Sequence, residues 1–223
     1  MSPSNQDRKK HRGNGSDYQR RSASRRPRKS FLIVVEGETE ELYFKKYADD
    51  SRSRLIDIFV DNPPCTDPIN LVKRAMELKQ QKERDAKRSE ISVPYDEIWI
   101  VYDLERVHDE RRKLSNDAGQ MAKSKKIQIA RSDPAFEYWY ILHFKQTTKS
   151  FNDAAETERY LKRFWPDYRK ATTPRKNIYE KTQAAIGNAQ WVREQLEKSR
   201  SKAPKTDVDI LVEELIENIC DRE

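Results

Sequence analysis

Residues 31–44 read Phe-Leu-Ile-Val-Val-Glu-Gly-Glu-Thr-Glu-Glu-Leu-Tyr-Phe. Five apolar residues in unbroken succession, Phe31 to Val35, predict a strand covered on both faces, the kind found inside parallel sheets. Glu36-Gly37 ends that strand, and Thr39 then stands where a helix can be capped. Tyr43, Phe44, Tyr47 and Ala48 fall on one stripe of the helix that follows.

The same alternation continues outward. Residues 55–60 predict a second strand, and Asp67-Pro68 opens a helix in which Ile69, Val72, Ala75 and Met76 share a face. Residues 79–88 are so charged that they read as the solvated end of that helix. A third strand is expected over 98–102, ending at Asp103, and a polar helical stretch follows near 109–123. A fourth strand is expected over 126–130, then a helix over 134–144 with Asp133 as its cap. This order predicts an α/β fold, a mainly parallel sheet with helices on both faces, whose ligand chemistry collects at the carboxyl ends of the strands. Beyond residue 150 the strand signal stops and helices are expected over 156–165, 178–198 and 208–220. The chain therefore divides into a basic tail (1–29), an α/β core (30–150) and a C-terminal helical extension (151–223).

Charge is distributed unevenly. Residues 1–29 hold ten Lys or Arg, among them Arg25, Arg26, Arg28 and Lys29, against Asp7 and Asp17. Since the whole chain carries +7, the other 194 residues sum to about −1. The tail has no apolar periodicity and reads as disordered, either a solubilising arm or an electrostatic arm that neutralises phosphates.

Several classes are excluded by composition. The apolar runs fall far short of the roughly 20 residues that span a bilayer, and no signal segment follows Met1. Two cysteines far apart, Cys65 and Cys220, and three scattered histidines argue against a zinc site and for a reduced, cytoplasmic protein. With five glycines and no GxxxxGK, the chain has no phosphate-cradling loop for ATP hydrolysis.

The acids fall where the chemistry should be. Glu36 follows the first strand, with Glu40 one helical turn later; Asp103 and Glu105 follow the third; Glu137 sits one turn into the helix after the fourth. Gathered at one sheet edge, such carboxylates repel unless a cation holds them, and hard oxygen ligands suit Mg²⁺ or Mn²⁺. Glu36, Asp103 and Glu105 are the expected metal ligands, and Glu40 and Glu137 a second ligand or a base. Ser132 and Lys176 are candidates for contacting phosphate.

These residues resemble a family. Val35-Glu36-Gly37-Glu38-Thr39-Glu40-Glu41-Leu42-Tyr43-Phe44 is similar to the EGxTExxYF opening of RloB-like proteins, whose fold is related to TOPRIM domains. Tyr102-Asp103-Leu104-Glu105 falls where the family has its DxD, and Ser132-Asp133-Pro134-Ala135-Phe136-Glu137-Tyr138-Trp139 resembles its S-N-P-x-F-E-x-W. Pro204-Lys205-Thr206-Asp207-Val208 is similar to its C-terminal N-P-x-T-x-V, with Ala203 in place of Asn.

The resemblance implies a TOPRIM-like fold and a metal-dependent nuclease acting on DNA or RNA in bacterial phage defence. It also implies a relation to overcoming-lysogenisation-defect nucleases and an AAA/ABC-type ATPase partner on another chain. Matched position by position, Glu36 corresponds to the TOPRIM glutamate, Glu40 to the second acid of an ExxxE, and Asp103 and Glu105 to DxD. Glu105 is one methylene longer than the usual Asp. The rival expectation is a catalytically silent nucleic-acid-binding or regulatory subunit of the same fold; a primase-like nucleotidyl transferase would use the same acids.

Overall fold

A computed structural model describes residues 29–49, 56–64, 67–89, 92–104, 109–201 and 204–220. Strand β1 (Lys29–Val35) is the apolar run of the opening motif, and α1 (Glu38–Asp49) follows it directly. The chain continues through β2 (Ile56–Asp61), α2 (Pro68–Arg88), β3 (Glu97–Asp103), α3 (Asp109–Ser124), β4 (Gln128–Asp133) and α4 (Glu137–Leu142). It closes with α5 (Ala154–Leu161), α6 (Lys176–Glu180), α7 (Thr182–Ser199), β5 (Lys205–Thr206) and α8 (Val208–Cys220).

The sheet has the order β2-β1-β3-β4-β5, parallel throughout except that β5 runs antiparallel to β4. Strand alternation divides the core. Phe31, Ile33, Val35, Trp99, Val101 and Ala130 face one layer, built from α1 and α4 to α8; Leu32, Val34, Ile98, Ile100 and Tyr102 face α2 and α3. Both layers are tightly closed, with Phe31, Ile33, Tyr43, Trp139 and Tyr140 fully buried at roughly 1.5–3 kcal/mol of favourable transfer for each large side chain. The architecture is α/β, a mostly parallel sheet flanked by helices, and it is consistent with a TOPRIM-like fold.

Three local expectations change. β5 lies in the stretch where no strand was expected; it is two residues long and is held by the Ser132 and Thr206 hydroxyls, 3.0 Å apart. The helix expected over 178–198 is two, α6 and α7, joined at Lys181. Neither Thr39 nor Asp133 caps a helix: Thr39 lies inside α1, where its hydroxyl accepts from the Ala171 amide, and α4 starts later, after Phe136. Asp67 does cap α2, accepting from Ile69 and Asn70 amides. No described helix is long and apolar enough to cross a membrane.

Candidate functional site

The chain passes from β1 through α1 to β2 on one side, then crosses to β3 on the other, so β1 and β3 are adjacent and their outgoing connections diverge. A crevice opens at the carboxyl ends of such a strand pair. Here it is a cleft of about 310 Å³ lined by Glu36, Gly37, Glu38, Thr39, Glu40, Asp103, Phe136, Glu137, Lys170 and Ala171. Four of the five carboxylates singled out from the sequence meet in it. Glu105 lies outside the described residues, as do Arg25, Arg26 and Arg28.

Each acid is placed by a different element. Glu36 ends β1; its Oε2 accepts the Asp103 amide at 3.0 Å, which ties the ends of β1 and β3 together. Asp103 ends β3, and its Oδ1 is shut away from solvent with no hydrogen-bond partner among the described residues. Glu40 projects from the first turn of α1, 5% exposed, over Gly37. A β-carbon at Gly37 would lie 2.8 Å from Glu40 Oε2, so the glycine is what leaves room for that carboxylate. Glu137 opens α4, 2% exposed, and accepts a 2.9 Å hydrogen bond from the Tyr168 hydroxyl.

Burial and crowding shift these groups. Desolvation, then the nearby Glu137 and Glu36, push the Glu40 carboxyl up to about 7, with Lys170 opposing. Asp103 is also raised well above the usual carboxylate range, first by desolvation and then by Glu40, Glu137 and Glu36. Tyr168 is raised as well, mainly by desolvation and then by the buried Glu137 that accepts its hydrogen bond.

Two cations answer the acids: Lys170, one of the basic residues interleaved with Phe164, Trp165 and Tyr168 in a pattern compatible with a nucleic-acid groove, and Arg111, which no sequence pattern singled out. Arg111, in the first turn of α3, sets its Nη2 2.5 and 2.6 Å from the two Glu36 oxygens while its Nε donates to the Asp103 carbonyl at 3.0 Å. No local signal marks Arg111: Arg112 stands in the same first turn and makes no ion pair among the described residues, so only the fold distinguishes the two. Lys170 lines the cleft from the turn before α6, beside Ala171, whose φ of 57° is a left-handed conformation that non-glycine residues rarely hold.

The other sequence candidates stand elsewhere. Ser132 is buried and its hydroxyl faces Thr206, so it joins β4 to β5 and is not presented to phosphate. Lys176 reaches solvent with a 91% exposed side chain and pairs loosely with Glu180; Lys170 is the lysine of the cleft. Lys29 belongs to β1 and not to a disordered tail, with Nζ 2.8 Å from Glu214 and 3.3 Å from Glu97.

A divalent cation suits this donor set in chemistry: hard carboxylate oxygens, one of them orphaned in a buried position, with mutual repulsion that positive charge would relieve. Among the described residues no three His, Cys, Asp or Glu side chains converge closely enough to hold a metal as they stand. Glu36 is meanwhile neutralised by Arg111.

Comparison with curated proteins and with solved structures returns no match. The family model for RloB-like proteins does match, from residue 31 to residue 215, which takes in most of β1, the acidic cleft and most of α8, and the chain accordingly belongs to the RloB-like protein family.

Proposed function

We propose that the chain is a divalent-metal-dependent nuclease that hydrolyses phosphodiesters of DNA or RNA, working in bacterial phage defence beside an AAA/ABC-type ATPase on another chain. The observation that carries this reading is Asp103 Oδ1, buried beside Glu36, Glu40 and Glu137 at the switch point of the sheet and without a partner among the described residues. An unpaired buried carboxylate oxygen is costly, and an Mg²⁺ or Mn²⁺ ion is the ligand that such oxygens accept. Glu36 and Asp103 would hold the ion, with Glu105 as the third ligand that family resemblance implies. When bound, such an ion polarises a phosphoryl oxygen and makes a water molecule a better nucleophile.

The chain's own groups complete the chemistry. Glu40, with its carboxyl raised to about 7, is poised to take a proton from water near neutral pH. Glu137, whose carboxylate accepts the Tyr168 hydroxyl, would serve as a further ligand or base. Lys170 and Arg111 bring positive charge to the edge of the cleft, where a phosphodiester gathers negative charge on attack.

Incubating the full chain, with and without an ATPase partner, with DNA and RNA in Mg²⁺ or Mn²⁺ tests this. Cleavage is expected, and its loss in Glu36→Gln and Asp103→Asn. Undiminished cleavage by Glu36→Gln overturns the assignment. The pairing of Glu36 with Arg111 favours a second reading, a nucleic-acid-binding subunit that has no catalysis. Calorimetric titration of Mn²⁺ separates the two: the nuclease binds the ion and Asp103→Asn does not, whereas the silent subunit shows no saturable uptake.

A further inference from the structure

Beside the acidic cleft, past the ends of β3 and β4, lies a second basin of about 630 Å³ with a basic lining. Arg112, Arg131, Arg193, Arg200 and Lys205 face it against Asp133, Glu197 and Asp207. Part of that charge is matched internally. Arg131 bonds Asp207 at 3.3 Å, Arg193 forks onto Asp209 at 2.9 and 2.5 Å, and Lys205 shares Asp207 at 3.9 Å. Arg112 and Arg200 are exposed and make no ion pair among the described residues.

Arg200 is also conformationally conspicuous. It closes α7 at φ 53° and ψ 24°, the left-handed position that glycine ordinarily takes after a helix. A bulky side chain kept in that conformation is the kind of outlier that clusters at ligand sites.

The two basins flank one strand end. Asp103 lines one and Leu104 the other; Arg111 serves one and Arg112 the other. Successive strand residues turn to opposite faces, and Leu104 packs with the α2 and α3 layer, so a strand that reaches both basins lies over the carboxyl edge of the sheet. Physical necessity points the same way. Among the described residues five acids line the cleft against one lining cation, Lys170, with Arg111 engaged by Glu36, and a polyanion meets repulsion there unless neighbouring cations hold it. Guanidinium groups suit this task because their planar fork matches phosphate oxygens. Leu104 and Leu196 give the basin an apolar patch on which sugar and base can rest.

We propose that this basin binds the phosphodiester backbone of the strand whose scissile bond lies on the acidic cleft, with Arg112 and Arg200 as its two free phosphate contacts. This assignment rests on the nuclease reading for its orientation, not for its measurement. The experiment is fluorescence anisotropy of the full chain with short labelled single-stranded DNA and RNA in EDTA, where no metal-dependent cleavage intervenes, over a series of salt concentrations.

Arg112→Ala/Arg200→Ala is expected to weaken binding about tenfold at roughly 0.1 M salt and to lower the slope of log K against log salt by about 1.5, since each phosphate contact contributes roughly 0.7–0.9. Arg112→Lys/Arg200→Lys keeps most of the slope. The control Arg84→Ala/Lys87→Ala, which removes two cations from α2, away from both basins, leaves the slope in place. Binding by Arg112→Ala/Arg200→Ala with wild-type affinity and slope overturns the proposal, as does a wild type that binds no oligomer. A mononucleotide that competes as well as the oligomer overturns it too, in favour of a small-ligand pocket. Loss of binding in the variant with no cleavage by the wild type would sink the nuclease reading and leave the strand site standing; normal cleavage with unaltered binding does the reverse.

Discussion

Gly37 has no β-carbon, and the Glu40 carboxylate occupies the space where one would be. The atom that a methyl group would displace is the far end of a flexible side chain, so Gly37→Ala is expected to leave thermal stability within about 1 kcal/mol of wild type while displacing Glu40. Under the nuclease reading, cleavage falls at least tenfold and Mn²⁺ affinity changes, which a calorimetric titration beside a melting curve will register. Arg111 gives the complementary case. It and Glu36 are both largely buried, with side chains 14% and 13% exposed, and removing one partner strands the other. Arg111→Ala should therefore cost on the order of 3 kcal/mol of unfolding free energy in EDTA. Under the same reading, added Mn²⁺ returns part of that loss by binding the native state. A deficit that is the same with and without Mn²⁺ would mean that Arg111 is purely structural. Glu36, Glu40, Asp103 and Glu137 could be read from sequence because each follows an apolar run or opens a helix. Arg111 could not be paired with its acid, because 75 residues separate them and only the fold brings them together.

Among the elements, those defined by their own residues were legible and those defined by partners were not. Strands β1 and β3 are runs of apolar residues buried on both faces, and α2 carries its own Asp67 cap and Pro68, so local pattern suffices. β5 is two residues whose strand character comes from Ser132 and Asp133 across the ladder, which leaves no period to detect. The break between α6 and α7 has no proline or glycine to announce it. The same C-terminal part depends on one ion pair. Asp209, fully buried in the first turn of α8, is held by both Nη atoms of Arg193 from α7, yet desolvation still raises its carboxyl. Arg193→Met leaves that carboxylate buried alone and should lower stability by about 3 kcal/mol. Adding Asp209→Leu should restore most of it, a coupling that a double-mutant cycle of urea unfolding measures. Simple additivity of the two losses would show that the pair does not join α7 to α8.

For the whole molecule, two apolar layers enclose a sheet whose carboxyl edge holds an acidic cleft beside a basic basin. The charge division between tail and body was plain in sequence; the division within the body, at one edge, needed the topology that sets α3 and β5 next to that edge. Stability across pH should report the buried groups that stand apart from it as well as those within it. His143 is enclosed by Tyr43, Trp139 and Tyr140; its Nδ1 lies 2.9 Å from the Trp139 carbonyl and so carries the proton there, and Nε2 is buried without a partner among the described residues. Burial, with Lys181 nearby, lowers its pKa to about 4, although the Trp139 carbonyl pulls the other way. The unfolded chain takes up a proton near pH 6.5 and the native state only near 4, so this contribution is complete above 6.5 and disappears as pH falls through that window. That difference in proton affinity between the two states makes the loss on the order of 3 kcal/mol. Glu40 in the metal-free protein has the opposite slope: its raised carboxyl favours the native state at low pH, and that benefit is lost as pH rises from 4.5 to about 7. Asp103, also raised, has the sign of Glu40, so His143 opposes both carboxyls between pH 4.5 and 6.5 and its removal exposes them. In EDTA, urea unfolding of His143→Phe should show stability falling with rising pH across that interval, and of His143→Phe/Glu40→Gln a shallower fall. Parallel profiles for the two variants would show that Glu40 does not keep its shifted pKa in the folded chain.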